Sequence, residues 1–217
     1  MPGVTISAGY GAGGSIVGPL VAQLLELPLL DRAISVRVAA QLHVSVQEAE
    51  GGAVRRSLTE RFFSSLAPLT ADVLAVGTDS HLRDLAEPLD EAAQFRRQAA
   101  AIMRAALVSG AVILGRAGAA AFREEPGVLR VRLFGPQDAR VARAMQAGGL
   151  DEATARQRLA EVDRARAQYV RRLYRADIDD PELFHMHLDS TVLPLEACAE
   201  VIAAAYRALP PPGAAAA

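Results

Sequence analysis

The residues best suited to chemistry stand near the start of the chain, in "TISAGYGAGGSIVGPLVAQLL", Thr5 to Leu25. Gly9, Gly11, Gly13 and Gly14 fall between a short apolar run and an amphipathic one, and Ser15 follows them. Glycines let a chain wrap closely and take positive φ. Consecutive N–H groups can then point inward, and the N-terminus of a following helix adds partial positive charge. That arrangement holds phosphate, with Ser15 where a Mg2+-binding hydroxyl is expected. The match to G-x-x-x-x-G-K-[ST] is incomplete, because Ala8 takes the first glycine place and Gly14 the lysine place. By itself the motif leaves open a strand-to-helix turn that binds nothing. All 23 cationic residues are arginines, so no lysine elsewhere can stand in.

Other polar candidates also follow apolar runs. Asp31 ends "LPLLD", and Arg116 follows "AVILG". Asp31 could orient a ligand or a Mg2+ water, or simply cap the next helix. Arg37 lies a turn or so further on, where a solvent-facing helical arginine is the commoner case. His185 and His187 resemble a metal pair, but no nearby cysteine or third histidine completes a site. Neither a Ser-His-Asp order nor H-E-x-x-H occurs, so hydrolase and zinc chemistry lack support.

The elements that must position these residues follow from periodicity. Val4–Ser7 reads as a strand and Ser15–Leu25 as a helix with Ile16, Leu20, Val21, Leu24 and Leu25 on one stripe. Leu27–Asp31 is a second strand, and Ile34 to about Pro88 a looser helical segment. Asp90–Val108 is a strong helix stopped at Gly110. Strands are expected at Ala111–Gly115, Val128–Phe134 and "FHMHLDS", and helices at Ala117–Phe122, Asp138–Ala147, from an Asp151 N-cap, and at Leu195–Ala208. Strand–helix alternation implies an α/β fold with a five-stranded parallel sheet covered on both faces. Ligands bind such sheets at the carboxyl ends of the strands, where the glycine loop, Asp31 and Arg116 all fall.

Composition narrows the class. The chain has 217 residues, 51% hydrophobic and 22% charged, with a net charge of −2. No basic field or tryptophan favours nucleic acid, and no apolar run suits a membrane span. A single cysteine, Cys198, fits a reducing cytoplasm, and no signal peptide is expected. Residues 1–209 read as a single domain, and 210–217 as a disordered tail.

Five stretches together resemble the cytidylate kinase-like family: "ISAGYGAGGSIVG", "LPLLDRAI", "VILGRAGAAAFREEPGVLRVRLFGP", "RVARAMQAGGLDEATARQRLAEVDRARAQYVRRLY" and "HLDSTVLPLE". They occur in the family's order at comparable spacing. The resemblance implies a three-layer P-loop NTPase fold with a helical NMP-binding-like segment, about 34–88, and a lid, about 136–176. It implies transfer of the γ-phosphoryl group of ATP to a nucleoside monophosphate, CMP among them, with Mg2+ as cofactor. Gly11, Ala12, Gly13, Gly14 and Ser15 would then cradle the ATP phosphates, with Ser15 also at the metal. Arg140 and Arg143 would close on them as lid arginines. Arg116, Asp31, Arg37 and Asp163 would hold the acceptor, and Arg116, Arg164 and Arg166 would neutralise transition-state charge. Asp189 and Ser190 would line the adenine end. The family loop, similar to S-R-x-Y-G-S-G-G-R, also lacks lysine, but this chain has Ala8 and Ser15 where the family carries arginines. A pseudokinase that senses nucleotide or binds a partner is therefore a second expectation. A purely structural protein is a third, and the long helix is a candidate homodimer contact.

Overall fold

The structure is a computed structural model, and it describes residues 2–30 and 89–210. Asp31, Arg37, the whole of the NMP-binding-like segment and the tail from 211 lie outside the described residues. Five strands form the sheet: β1 Gly3–Ala8, β2 Leu29–Leu30, β3 Ala111–Leu114, β4 Val128–Phe134 and β5 Met186–Asp189. Every pairing is parallel and the order is β2-β3-β1-β4-β5. The second strand is shorter than its apolar run suggested, beginning at Leu29 after Pro28.

Around the sheet lie α1 Gly14–Leu25, α2 Leu89–Leu107, α3 Gly118–Ala121, α4 Gln137–Gly148, α5 Glu152–Tyr174 and α6 Leu195–Arg207. The layers follow from alternation along the strands. Val4 and Ile6 of β1 and Leu129, Val131 and Leu133 of β4 point to one face. There they pack with Val17 and Val21 of α1 and Cys198 and Ile202 of α6. The opposite face buries Ile113 and Val128 against Met103 and Leu107 of α2 and Phe122. This is the three-layer α/β arrangement expected. Among the described residues no helix is long and apolar enough to cross a membrane.

Two features aim the site. Parallel strands bring Ala8, Leu114, Phe134 and Asp189 to one edge of the sheet. The α4–α5 hairpin, with Val141, Ala144, Ala155 and Leu159 as its own core, sits beside the loop after β1, and Tyr10 packs against that core. Asp151 caps α5 as expected, accepting the Thr154 N–H at 2.9 Å.

Candidate active site

The loop from Gly9 to Gly13 turns β1 into α1. Gly11 (φ 75°) and Gly13 (φ 76°) take the left-handed conformation that side chains resist, and a Cβ on Gly11 would meet the Arg140 backbone carbonyl. Alternating left-handed residues orient peptide groups into a nest. Among the described residues nothing accepts from the N–H groups of Gly11, Gly13, Gly14 or Ser15. Helix α1 has no side-chain cap and no acidic residue in its first turn to compete for them.

The carbonyls of the same loop are all engaged. Arg166 donates to Ala8 O at 2.7 Å and Arg140 to Tyr10 O at 3.0 Å. Arg143 approaches Gly11 O at 3.5 Å, and the Ser190 hydroxyl donates to Ala12 O at 2.8 Å. Gly9 O accepts from Ala12 N, and Gly13 O from Ile16 N and Val17 N. A loop whose carbonyls are held from outside presents its N–H groups inward. Arginines of the hairpin thus shape the cradle through its outer surface.

Asp163 locks this collar. Its Oδ1 accepts the Tyr10 N–H at 2.8 Å and its Oδ2 pairs with Arg140 at 2.7 Å. Arg140 also donates from Nε to Gly135 O, which ties the start of α4 to the loop. Arg143 donates to Ser190 O at 2.6 Å, joining β5 to the same cluster. Ser190 is fully buried, and its hydroxyl, bonded to Ala12 O, also lies 3.2 Å from Phe134 O.

Arg116 stands at the end of β3. Gly115, Arg116 and Ala117 take φ of 78°, 62° and 53° in succession. Left-handed backbone at two non-glycine residues stores strain, which proteins keep where a side chain must be aimed. Burial, then Tyr174, pushes the Tyr169 phenol up to about 12, and the Arg116 charge opposes that rise. Arg164 faces solvent, and among the described residues it makes no hydrogen bond or ion pair. The structure therefore brings Arg116, Asp163, Arg166, Arg140 and Arg143 to the loop side of the sheet and leaves Arg164 apart.

The family model of the cytidylate kinase-like family matches residues 3–192. The chain belongs to the cytidylate kinase-like family. No curated protein matches it in sequence. An uncharacterized protein from Eubacterium ventriosum ATCC 27560 is similar in structure, with a TM-score of 0.61 at 16% identity, covering 96% of this chain and 99% of that one. A shikimate kinase from Acinetobacter baumannii gives 0.43 at 17% identity over 93% and 90% of the two chains. A gluconokinase from Sinorhizobium meliloti 1021 gives 0.46 at 13% identity over 95% and 91%. At such identities the likeness speaks to the fold alone. Membership in the family supports nucleotide binding and kinase-type phosphotransfer.

In this cytidylate kinase-like chain the loop fits a polyphosphate. Its inward N–H groups have no acceptor among the described residues, and Ser15 is exposed in the first turn of α1. A cleft of about 460 Å3 opens beside it, walled by Gly9, Arg132, Asp163, Arg166, Asp179 and His187 among others. Arg132 is the site residue that sequence reasoning missed. The signal was present: "VLRVRLF" alternates, although both faces of a parallel sheet are covered. The alternation places Arg130 and Arg132 under helices rather than in solvent. Arg130, 8% exposed, donates to Leu183 O and Phe122 O, and burial followed by Arg123 lowers its pKa. His185 and His187 do not form a pair, since His185 accepts the Arg130 N–H and His187 lies beside Pro181 O and Phe184.

Proposed function

We propose that the chain transfers the γ-phosphoryl group of ATP to a nucleoside monophosphate, with CMP the first acceptor to test. The observation that carries this is the collar: every loop carbonyl from Ala8 to Gly13 is bonded, leaving the N–H groups of Gly11, Gly13, Gly14 and Ser15 to receive phosphate oxygens. In this reading the backbone replaces the side-chain cation that Ala8 and Ser15 do not supply.

Phosphoryl transfer asks a protein chiefly for positioning and charge neutralisation. Gly11, Gly13, Gly14 and Ser15 hold the donor phosphates through backbone N–H groups, while the Ala12 N–H, expected to join them, is taken by Gly9 O. Arg116 holds the acceptor phosphate with a planar fork that matches two oxygens. The α4–α5 hairpin serves as the lid, with Arg140, Arg143 and Arg166 on its inner side and Asp163 beside the acceptor; Arg164 would join them only if the lid moved. The Ser15 hydroxyl is the chain's own contribution to a Mg2+ site, and bound Mg2+ neutralises donor-phosphate charge. The setting we assign is the cytoplasm, which suits the buried free thiol of Cys198.

The test is ADP production from Mg-ATP paired with CMP, dCMP, UMP or AMP, read beside melting temperature. Turnover with one acceptor is expected. Arg116→Ala should cut kcat/KM for that acceptor roughly 10- to 100-fold, the loss of one or two charged hydrogen bonds. A second reading, an inactive nucleotide sensor, is favoured by the absence of any cationic side chain within the loop. It predicts a nucleotide-dependent rise in melting temperature without ADP. No rise and no ADP with any nucleotide would sink both.

A further inference from the structure

Two arginines of β4 share the face covered by helices, and they have different surroundings. Arg130 is committed to structure, with Nε on Leu183 O at 2.9 Å and Nη1 near Phe122 O. Among the described residues Arg132 binds no backbone carbonyl. Its Nη1 donates to the Ser7 hydroxyl at 3.0 Å, its Nη2 pairs with Asp179 at 2.8 Å, and its guanidinium lies 6.0 Å from the Phe184 ring centroid. The partners of the ion pair are unequal. The Arg132 side chain is 13% exposed, anchored in the middle of a strand, whereas that of Asp179 is 75% exposed on the segment after α5. An exposed carboxylate loses little by returning to water, while a buried guanidinium requires a partner.

Register places this cation beside the loop. Ser7 pairs with Arg132 and Ala8 with Leu133, so Arg132 enters from the neighbouring strand at the level where β1 passes into the loop. Its guanidinium faces the same cleft as Gly9, Asp163 and Arg166. The cleft's lining beside Arg132 is aromatic: Phe134 lies two residues on along β4, and His187, the register partner of Arg132 on β5, stands edge-on to Phe134 with ring centroids 6.3 Å apart; Ile178 adds an apolar side chain. A volume of about 460 Å3 suits a small molecule rather than a bare ion.

We infer that this cleft is a binding site for a phosphate monoester, with Arg132 as the anion-binding residue and Asp179 as the internal carboxylate that the ligand displaces. The site goes beyond the phosphate cradle and the acceptor role given to Arg116. The geometry explains why a strand buried beneath helices keeps a second arginine that no carbonyl among the described residues clamps. Arg132 holds Ser7 and the sheet at one guanidinium nitrogen and exchanges Asp179 for a phosphate oxygen at the other. The planar fork is suited to that exchange, because it offers two parallel donors to a tetrahedral anion. Two sources share this chemistry, the acceptor nucleotide itself or a separate phosphorylated effector.

The test follows the Arg132 side-chain Nε–Hε resonance of the full chain, assigned by its loss in Arg132→Gln. Inorganic phosphate is titrated at constant ionic strength, and CMP in a parallel arm. The Arg132 resonance should move saturably with phosphate. Asp179→Asn, which removes the competitor, should lower the half-saturating concentration about 3-fold, the size expected for breaking one exposed ion pair. Saturation by CMP at lower concentration than phosphate identifies the acceptor as the ligand, and a response to phosphate alone identifies an effector. A resonance that does not move, or a midpoint unchanged or raised in Asp179→Asn, overturns the site. The readout needs no turnover, so a chain inactive with every nucleotide whose Arg132 still titrates would end the kinase reading and leave this site standing.

Discussion

Ala8 and Ser15 bring no charge to the phosphate loop, yet three arginines reach it from the hairpin and end on its carbonyls. A hydrogen bond with a charged partner contributes roughly 1.5–3 kcal/mol net, so the collar is strong enough to fix the loop's peptide planes. Asp163 is its keystone, since it binds both the loop N–H of Tyr10 and the Arg140 guanidinium. Asp163→Asn should raise the KM for ATP roughly tenfold, because one charged interaction is lost while the amide keeps the shape. Arg156→Ala is the matched control. Among the described residues Arg156 pairs with exposed Glu152 and Asp138, away from the loop, and its loss should leave KM unchanged. Equal effects in both variants would mean that the collar does not hold the loop. At this scale the sequence announced the arginines through "VDRARA" and "RVARAM", but not their targets. Pattern reading pairs a cation with an anion, whereas here the guanidinium groups seek backbone oxygens, which no sequence position marks.

Elements were legible wherever a local signal decides them. Asp151 capped α5 as expected, and Gly110, at φ 87°, ends the stretch after α2. The strands followed from apolar runs bounded by glycine and proline. The extent of β2 was not legible, because its pairing with β3 is set by the partner, and among the described residues Leu29 and Leu30 are the ones in register with it. Arg132 was missed for a related reason. Alternation normally signals a solvated face, and the burial of this one depends on α5 and the segment after it. The junction of loop and α1 gives a sharp prediction. Gly11→Ala forces a left-handed alanine and drives its Cβ into the Arg140 carbonyl. Left-handed backbone costs a non-glycine residue roughly 1–2 kcal/mol, and here the clash adds to it. Urea unfolding should show at least that loss, and nucleotide-dependent stabilisation should disappear. An alanine variant as stable as the parent would contradict the loop geometry.

For the molecule as a whole, stability carries a proton dependence that can be traced to one sheet edge. His185 Nδ1 accepts the Arg130 N–H at 3.2 Å, and His185 N donates to Arg130 O at 2.8 Å, so the ring helps pin the approach to β5. Burial, then the Arg130 charge, lowers its pKa. Below about pH 6.5 the unfolded chain takes up a proton on this ring that the folded chain resists. The stabilisation is complete above that value and is lost as the pH falls through the lower folded value. The urea midpoint should drop between about pH 7.5 and 5.5, and His185→Gln, which keeps an acceptor without a titration, should shrink the drop. An undiminished drop would assign the effect elsewhere. The three-layer architecture and the place of the glycine loop at the carboxyl end of β1 were readable from strand–helix order alone. The tie between hairpin and loop was not, since it joins residues more than a hundred positions apart, such as Ala8 and Arg166. That tie has a kinetic meaning. If the hairpin lifts to release product, Arg166, Arg140 and Arg143 leave the loop with it, and the grip on the spent nucleotide slackens in the same motion. Opening and product escape then become one event, and turnover at saturating substrate should slow in viscous solvent.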